Sequence, residues 1–405
     1  MATDIKIAGG LPSWVETNAT DLTIWNNGQG NVASNTSYGD RALRSNTIGT
    51  NNTALGYYAL DANTSGSNNV AIGVETLSSN TTGEDNIAIG RSALRLGAGH
   101  FYNVAIGRNT LASYTAGSSS NIAIGLNSLA ALTSGSNNVA FNAGGAITSG
   151  SSNTFLGGGQ FITSGNYNTF LGGGAGNSYY GAGNNNVFVG LASGGSAGDS
   201  SVGVGFQALN SSSVGSLVAI GYRALYTNTT GAQNTASGFE ASYLNTTGGA
   251  NASFGYRALR ANTTGGENTA IGNTALAVNS TGSSNTAIGS LALNSNSTGF
   301  SNTGIGKSAL QATTTGTENT AVGSSAMSTN TTGGGNTAVG YLTNSGNFTG
   351  SVILGRGATA TANNQFVVGS SGTNAGAVTT ETIIADRTWT VRINGANYKI
   401  PMLAV

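Results

Sequence analysis

The glycine that closes an Asn-Thr-Ala-Ile-Gly segment returns every 17 residues. Gly221, Gly238, Gly255, Gly272, Gly289, Gly306, Gly323 and Gly340 give seven consecutive intervals of that length. An earlier run, Gly39, Gly56, Gly73, Gly90 and Gly107, keeps the same spacing. Between the runs, Gly125, Gly157, Gly172, Gly190 and Gly205 lie 15 to 32 residues apart, and Asn142 fills the glycine slot in the longest gap, so that gap holds two units. After Gly340 the spacing shortens through Gly355 to Gly369 and the pattern stops. A strict period of this size marks a repeat architecture, in which no single unit buries its own apolar face and stacking supplies the core.

The clearest unit runs from Asn268 to Ser284. It is too short to hold a strand, a crossover helix and a second parallel strand, and its glycine density excludes helix. Identical segments therefore stack directly, coil on coil, in parallel ladders. The expected fold is an all-β β-solenoid or β-roll of about twenty coils, forming a rod of about 95 Å at about 4.8 Å per coil. The Asn-Thr-Ala-Ile-Gly segment reads as one short strand and the following x-x-Ala-Leu as a second.

Alternation assigns side chains to faces. Val70 with Ile72, and Ile87 with Ile89, point one way, while Ala71 and Ala88 point the other. Both faces are expected to be buried, with Ile89 and Ile271 intolerant of charge and the Ala column admitting a packed partner chain. Arg257 and Glu240 are expected to be dispensable for folding. In the Asn-Thr-Thr-Gly turns the glycine is expected at positive φ, and Asn228, Asn245, Asn262, Asn279 and Asn296 are expected to form a stacked amide ladder. One coil buries too little to offset the ordering of its chain, so burial against further chains is expected.

Composition removes several function classes. The 14 basic and 14 acidic residues cancel, which leaves no field to attract nucleic acid or an anionic membrane surface. There is no cysteine for disulfides or thiolate metal sites. Residues 1–10 lack the apolar stretch of a secretory leader and no long apolar run follows, so neither membrane insertion nor a Sec-type signal is expected. Gly203-Val-Gly205-Phe-Gln-Ala208 fits a dinucleotide pattern, yet lacks the following helix and acidic residue. The sequons at Asn228, Asn262 and Asn279 fall at turn spacing and read as structural. His100, the one histidine, reads as an exposed turn residue without metal-binding partners, and the adjacent Glu84 and Asp85 do not make a glycosidase pair. No catalytic residue, cofactor or metal is expected.

The repeats Asn69-Val-Ala-Ile-Gly73, Asn86-Ile-Ala-Ile-Gly90 and Asn103-Val-Ala-Ile-Gly107 resemble the signature of YadA-like head repeats, found in trimeric autotransporter adhesins and in phage tail fibres. The resemblance covers roughly residues 31–370 and implies a left-handed parallel β-roll, a homotrimer and a binding role. The autotransporter's leader, heptad stalk and C-terminal membrane anchor have no counterpart here, which favours a virion fibre assembled in the host cytoplasm and displayed on the particle surface. Its expected partners are its own copies, other virion proteins at one end, and a host glycan or protein receptor. The alternatives are a spacer or capsid decoration without a receptor, the head of a bacterial trimeric adhesin, and an ice-binding solenoid, which needs a Thr-x-Thr face.

The domain reading is an N-terminal cap or attachment segment over 1–30, the repeat shaft over 31–370 and a C-terminal hairpin cap or attachment segment over 371–405. Trp14 and Trp25 at one end, and Trp389 and Tyr398 at the other, are candidates for end docking. The hairpin is read from Thr388-Trp-Thr-Val-Arg-Ile393, an Asn394-Gly395 type I′ turn and Ala396-Asn-Tyr-Lys-Ile400. The two positions after each repeat glycine vary most between coils. Tyr57, Tyr58, Tyr222, Arg223, Tyr256 and Arg257 stand there, suited either to a ligand or to inter-subunit packing. Recognition is expected at an end or an irregular coil, with the uniform coils of 221–340 as spacer.

Overall fold

The computed structural model describes residues 32–369, apart from 33, 116–119, 159–162, 177–182 and 196–197, together with the backbone of four strands outside that range. From β3 (Thr36–Tyr38) to β23 (Phe366–Val368), twenty-one three-residue strands succeed one another, each pairing in parallel with the strand before and the strand after. The register follows the repeat: Thr269, Ala270 and Ile271 stand opposite Thr286, Ala287 and Ile288. The chain is thus a parallel β-solenoid. The unit around Asn142 forms β9 (Val139–Phe141), which pairs with both neighbours, so the longest glycine gap does hold two coils.

Pairing continues around the coil. Gly272 and Thr274 donate backwards to Phe254 and Tyr256, while Leu276, Val278 and Ser280 donate forwards to Ala292, Asn294 and Ser297. Nearly the whole perimeter is therefore a hydrogen-bonded ladder, and this lets a chain with so little apolar volume order itself.

The Ala-Leu segment is not a second strand. Ala275 and Leu276 are consecutive and both fully buried, whereas a strand would send them to opposite faces. The chain turns both inward by placing Thr274 and Leu276 in the left-handed region, at φ 51 and 51°. This geometry costs a non-glycine residue about 1–2 kcal/mol, and the ladders on either side hold it in place.

Strand parity is the reverse of the sequence expectation. Ala54, Ala71, Ala88 and Ala270 lie in the chain's own interior against its leucines, fully buried. The flanking Val and Ile residues face outward: Ile271 is 40% exposed and Ile220 44%. Opposite a leucine the inner row must be small for the coil to close, so the Ala column is filled from within and admits no partner chain. The outer row instead forms an apolar stripe through Leu55, Ile72, Ile89, Ile106 and Ile124 to Val368, interrupted by Ser237.

The irregular coils trade volume across the core. Phe155, Phe170 and Phe188 replace alanine in the inner row, with ring centroids 5.7 and 5.0 Å apart. Opposite Phe170 and Phe188 the leucine of the Ala-Leu pair gives way to glycine, in Ala175-Gly176 and Ser193-Gly194. A Cβ on Gly194 would lie 2.1 Å from Phe188 Cγ, and one on Gly176 2.8 Å from Phe170 Cε2. A large strand residue faces an empty one, which keeps the core filled whether the coil has 18 residues, as after Phe170, or 15, as after Phe188.

The turn glycines also serve a different purpose from the one expected. Gly265 does not have positive φ; its hydrogen faces the next coil, where a Cβ would meet the Gly282 carbonyl oxygen at 2.2 Å. Positive φ belongs to the repeat glycines, such as Gly272 at +142°. The amide ladder expected from spacing is present: each Nδ2 donates to the preceding Oδ1 at 2.7 to 2.8 Å from Asn228 to Asn296. A second ladder, through the Asn that opens each repeat, went unread. Asn268, Asn285, Asn302 and Asn319 donate to one another at 3.1 to 3.2 Å and reach the turn carbonyls as well.

Outside the solenoid, β1 (Glu16–Thr17) pairs antiparallel with β2 (Ile24–Trp25), and β24 (Arg387–Ile393) with β25 (Ala396–Met402). Ile393 stands opposite Ala396, as a two-residue connection requires; the turn itself lies outside the described residues.

Candidate functional site

The six shaft candidates fall into two places. Tyr57 and Tyr58 meet edge to face at 4.3 Å near the first coils, with the Arg41 guanidinium 4.7 Å above the Tyr58 ring. Tyr222, Arg223, Tyr256 and Arg257 lie far along the rod and belong to one band.

That band follows from the repeat. The residue after each repeat glycine sits at the same corner of every coil, so aromatic residues there must stack at the coil spacing. Phe206, Tyr222, Phe239 and Tyr256 do so, with centroids 5.3, 4.9 and 5.4 Å apart and planes within 14° of parallel. Leu191 precedes them in the row and Asn273 ends it. Four positions further on, Tyr226 and Tyr243 form a second stack at 5.3 Å.

The arginines are held on these rings. Arg223 donates from Nε to Gln207 Oε1 at 2.8 Å and lies 5.2 Å from the Tyr222 ring and 5.4 Å from Tyr226, bridging the two stacks. Arg257 and Arg260 both donate from Nε to Glu240 Oε2, at 2.9 and 2.8 Å. They cover Tyr256 at 5.0 Å and Tyr243 at 5.4 Å. Arg260 and Gln207 were not singled out from the sequence. Gln207 holds the same slot as Arg223 one coil earlier, whereas Arg260 lies 20 residues from its partner, an offset that means contact only once the side-chain reach across coils is known.

Glu240 is buried beneath the two arginines and accepts a hydrogen bond from each. Burial pushes its carboxyl up, but the hydrogen bonds from Arg260 and Arg257 outweigh this and hold it below the ordinary glutamate range. A carboxyl with a lowered folded-state value contributes stability that is present above its unfolded value and lost as pH falls through the folded one. Both arginines are more than a third exposed, so the contribution is about 1 kcal/mol. Glu240→Gln is expected to lower the unfolding temperature near neutral pH, with the difference closing as pH falls below the ordinary glutamate range. Unfolding curves of both proteins over a pH series check this.

The other candidates resolve as follows. His100 is buried, not exposed: it takes the place of a turn glycine, its ring contacts the Leu96 carbonyl oxygen and its centroid lies 5.5 Å from that of Tyr114. Burial lowers its pKa, the Leu96 carbonyl opposing. Gly203 lies within β13 (Val202–Val204), followed by a turn segment. Asn228, Asn262 and Asn279 are fully buried in the amide ladder, which closes them to glycosylation. The outward strand pair reads Thr-x-Ile in coils such as Thr269–Ile271, unlike the face ice binding needs. Trp25, Trp389 and Tyr398 lie in the paired terminal strands, opposite Glu16, Ile400 and Val391. Trp14 lies outside the described residues.

Among the described residues no cluster of His, Asp and Glu is placed to hold a metal ion, and no helix is long and apolar enough to cross a membrane. The architecture defines a class, the parallel β-solenoid repeat protein. Neither a protein-family model nor a curated protein matches the chain.

Proposed function

We propose that this chain forms the shaft of a left-handed, homotrimeric, non-enzymatic fibre on a virion, a phage tail fibre that attaches the particle to its host. The observation that carries the reading is the outward apolar stripe. The interior is already filled by the chain's own alanines and leucines, so a second row of Ile and Val, 37–44% exposed at Ile288, Ile271 and Ile220, requires cover from elsewhere. Parallel copies arranged around an axis along the rod bring the same coils to the same height, and each copy's stripe meets another over its full length. The YadA-like resemblance supports the same assembly.

Attachment rests on the contrast between the stripe and the band. The stripe is uniform and suits self-association. The band is local, aromatic and charged, the composition of recognition surfaces. It sits within coils whose backbone is regular. The backbone repeats while the exposed corner varies.

Purified protein added to host cells is expected to slow adsorption of particles carrying this chain in a dose-dependent way. Unchanged adsorption at saturating protein would leave the spacer or decoration reading in its place.

A further inference from the structure

We infer that the band between Phe206 and Arg260 binds a carboxylated glycan, laid along the rod with its acidic groups on the arginine row. The inference rests on the attachment reading and names the chemistry of the receptor.

Charge comes first. Three guanidiniums, Arg223, Arg257 and Arg260, face one carboxylate, Glu240, so the band carries a net positive charge in a chain that is neutral overall. Each guanidinium uses its Nε within the band. Among the described residues their terminal nitrogens make no hydrogen bond. The planar fork of arginine fits a carboxylate in a bidentate manner. Stacking on the rings and the Nε bonds hold these forks in fixed orientations, which reduces the entropy lost on binding.

The surroundings point to a sugar. Tyr222, Tyr226, Tyr243 and Tyr256 supply phenolic hydroxyls beside apolar ring edges, the mixture that a saccharide with its C–H patches and hydroxyls requires. The stacks repeat at the coil spacing over about 15 Å. Similar chemistry at equal steps suits a polymer of repeating units better than a protein surface with a unique side-chain order.

Copies of the chain cannot supply the missing negative charge at that level. Parallel copies present the same coils at the same height, and between residues 199 and 267 the only carboxylates are Asp199, Glu240 and Glu267. Glu240 is used within the band. Asp199 accepts from the Asn184 backbone N–H at 2.8 Å and Glu267 from the Ser284 hydroxyl at 3.1 Å, both in the turns that precede a strand and away from the aromatic corner. The forks are thus left open to an anionic ligand.

The test uses the full-length protein and calorimetric titration with oligogalacturonate, its carboxyl-reduced neutral counterpart and heparin. Oligogalacturonate is expected to bind, to weaken as salt screens the charges, and to exceed the neutral form by about tenfold or more. Arg223→Ala is the informative variant, because its partner is the neutral Gln207; Tyr256→Ala serves if that protein does not fold. Either is expected to lose about tenfold in affinity at unchanged assembly mass and unfolding temperature. Equal binding of the acidic and reduced glycans, heparin binding alone, or a folded Arg223→Ala protein with full affinity would overturn the inference. So would a variant that changes the assembly mass, which would assign the band to inter-subunit packing. Wild-type protein that blocks host adsorption while Arg223→Ala blocks it equally would overturn the glycan site and leave the attachment reading standing; failure of wild-type protein to block adsorption tests that reading separately.

Discussion

Ala270→Asp is expected to abolish folding of the coils around it, whereas Ile271→Asp, one residue further on, is expected to give a folded protein. Ala270 is fully buried between Ser253 and Ala287 of the adjacent coils, while Ile271 is 40% exposed. A carboxylate at 270 enters a dry interior with no cation to pair, a penalty of several kcal/mol even after relaxation. At 271 it lies outside the coil's own interior, so the coil still closes, at about 1 kcal/mol to the single chain, and the charge is expected instead to weaken association where the stripes of neighbouring copies meet. Far-UV circular dichroism and unfolding temperature distinguish the two. Loss of structure in Ile271→Asp with retention in Ala270→Asp would reverse the assignment of inside and outside.

The amide ladder gives the second large effect, with a change of sign available within it. Asn262 donates to Asn245 Oδ1 at 2.7 Å and to the Gly265 carbonyl at 2.8 Å, and accepts from Asn279 at 2.8 Å. Asn262→Leu breaks all three in a site without water access; the Gly265 carbonyl keeps the Asn251 amide at 2.9 Å, so two groups, Asn245 Oδ1 and one N–H of Asn279, lose their partner. At about 1–3 kcal/mol for each polar group left unpaired, the cost is about 2–6 kcal/mol. Thr264→Leu, on the exposed side of the same turn, is expected to change stability by no more than about 0.5 kcal/mol. The chain contains its own natural break. Thr313 stands where the ladder needs an amide, and Asn296 Oδ1, buried beside it, has no donor. Thr313→Asn is therefore expected to stabilise by about 1 kcal/mol. Hydrogen exchange across coils 262–313 measures both, since opening in a solenoid is local and propagates to nearest neighbours. Equal protection in Asn262→Leu and wild-type protein would show that the ladder is ornament to the backbone rather than part of what holds the turns.

The period, the parallel strand ladder and the first amide column were legible in the sequence because each is a repeated residue at a fixed offset, and stacking converts that offset directly into contact. Parity was not legible. With Val-Ala-Ile in a three-residue strand both faces are apolar, so alternation alone cannot say which is inside; coil width decides, and width depends on the Ala-Leu segment bending inward through left-handed residues such as Leu276. Turn glycines such as Gly265 misled for a related reason, since close approach of the next coil demands glycine as strongly as positive φ does. Half of the candidate band was found from aromatic and arginine residues after the repeat glycines. Arg260 required the side-chain geometry, because its offset from Glu240 departs from the period by three residues; Gln207 and Glu240 stand in register with Arg223 and Arg257, and polar residues in that slot gave no signal of their own. His100 occupies a slot that is glycine in Gly66 and Gly83, and its burial follows from that slot facing the next coil.

The assembly is tested most directly by the mass of the intact protein in dilute buffer, measured by sedimentation equilibrium. An outward apolar stripe running the length of the rod predicts three chains, resistant to dissociation on dilution. A single folded chain of 40.0 kDa with the stripe open to water would contradict it.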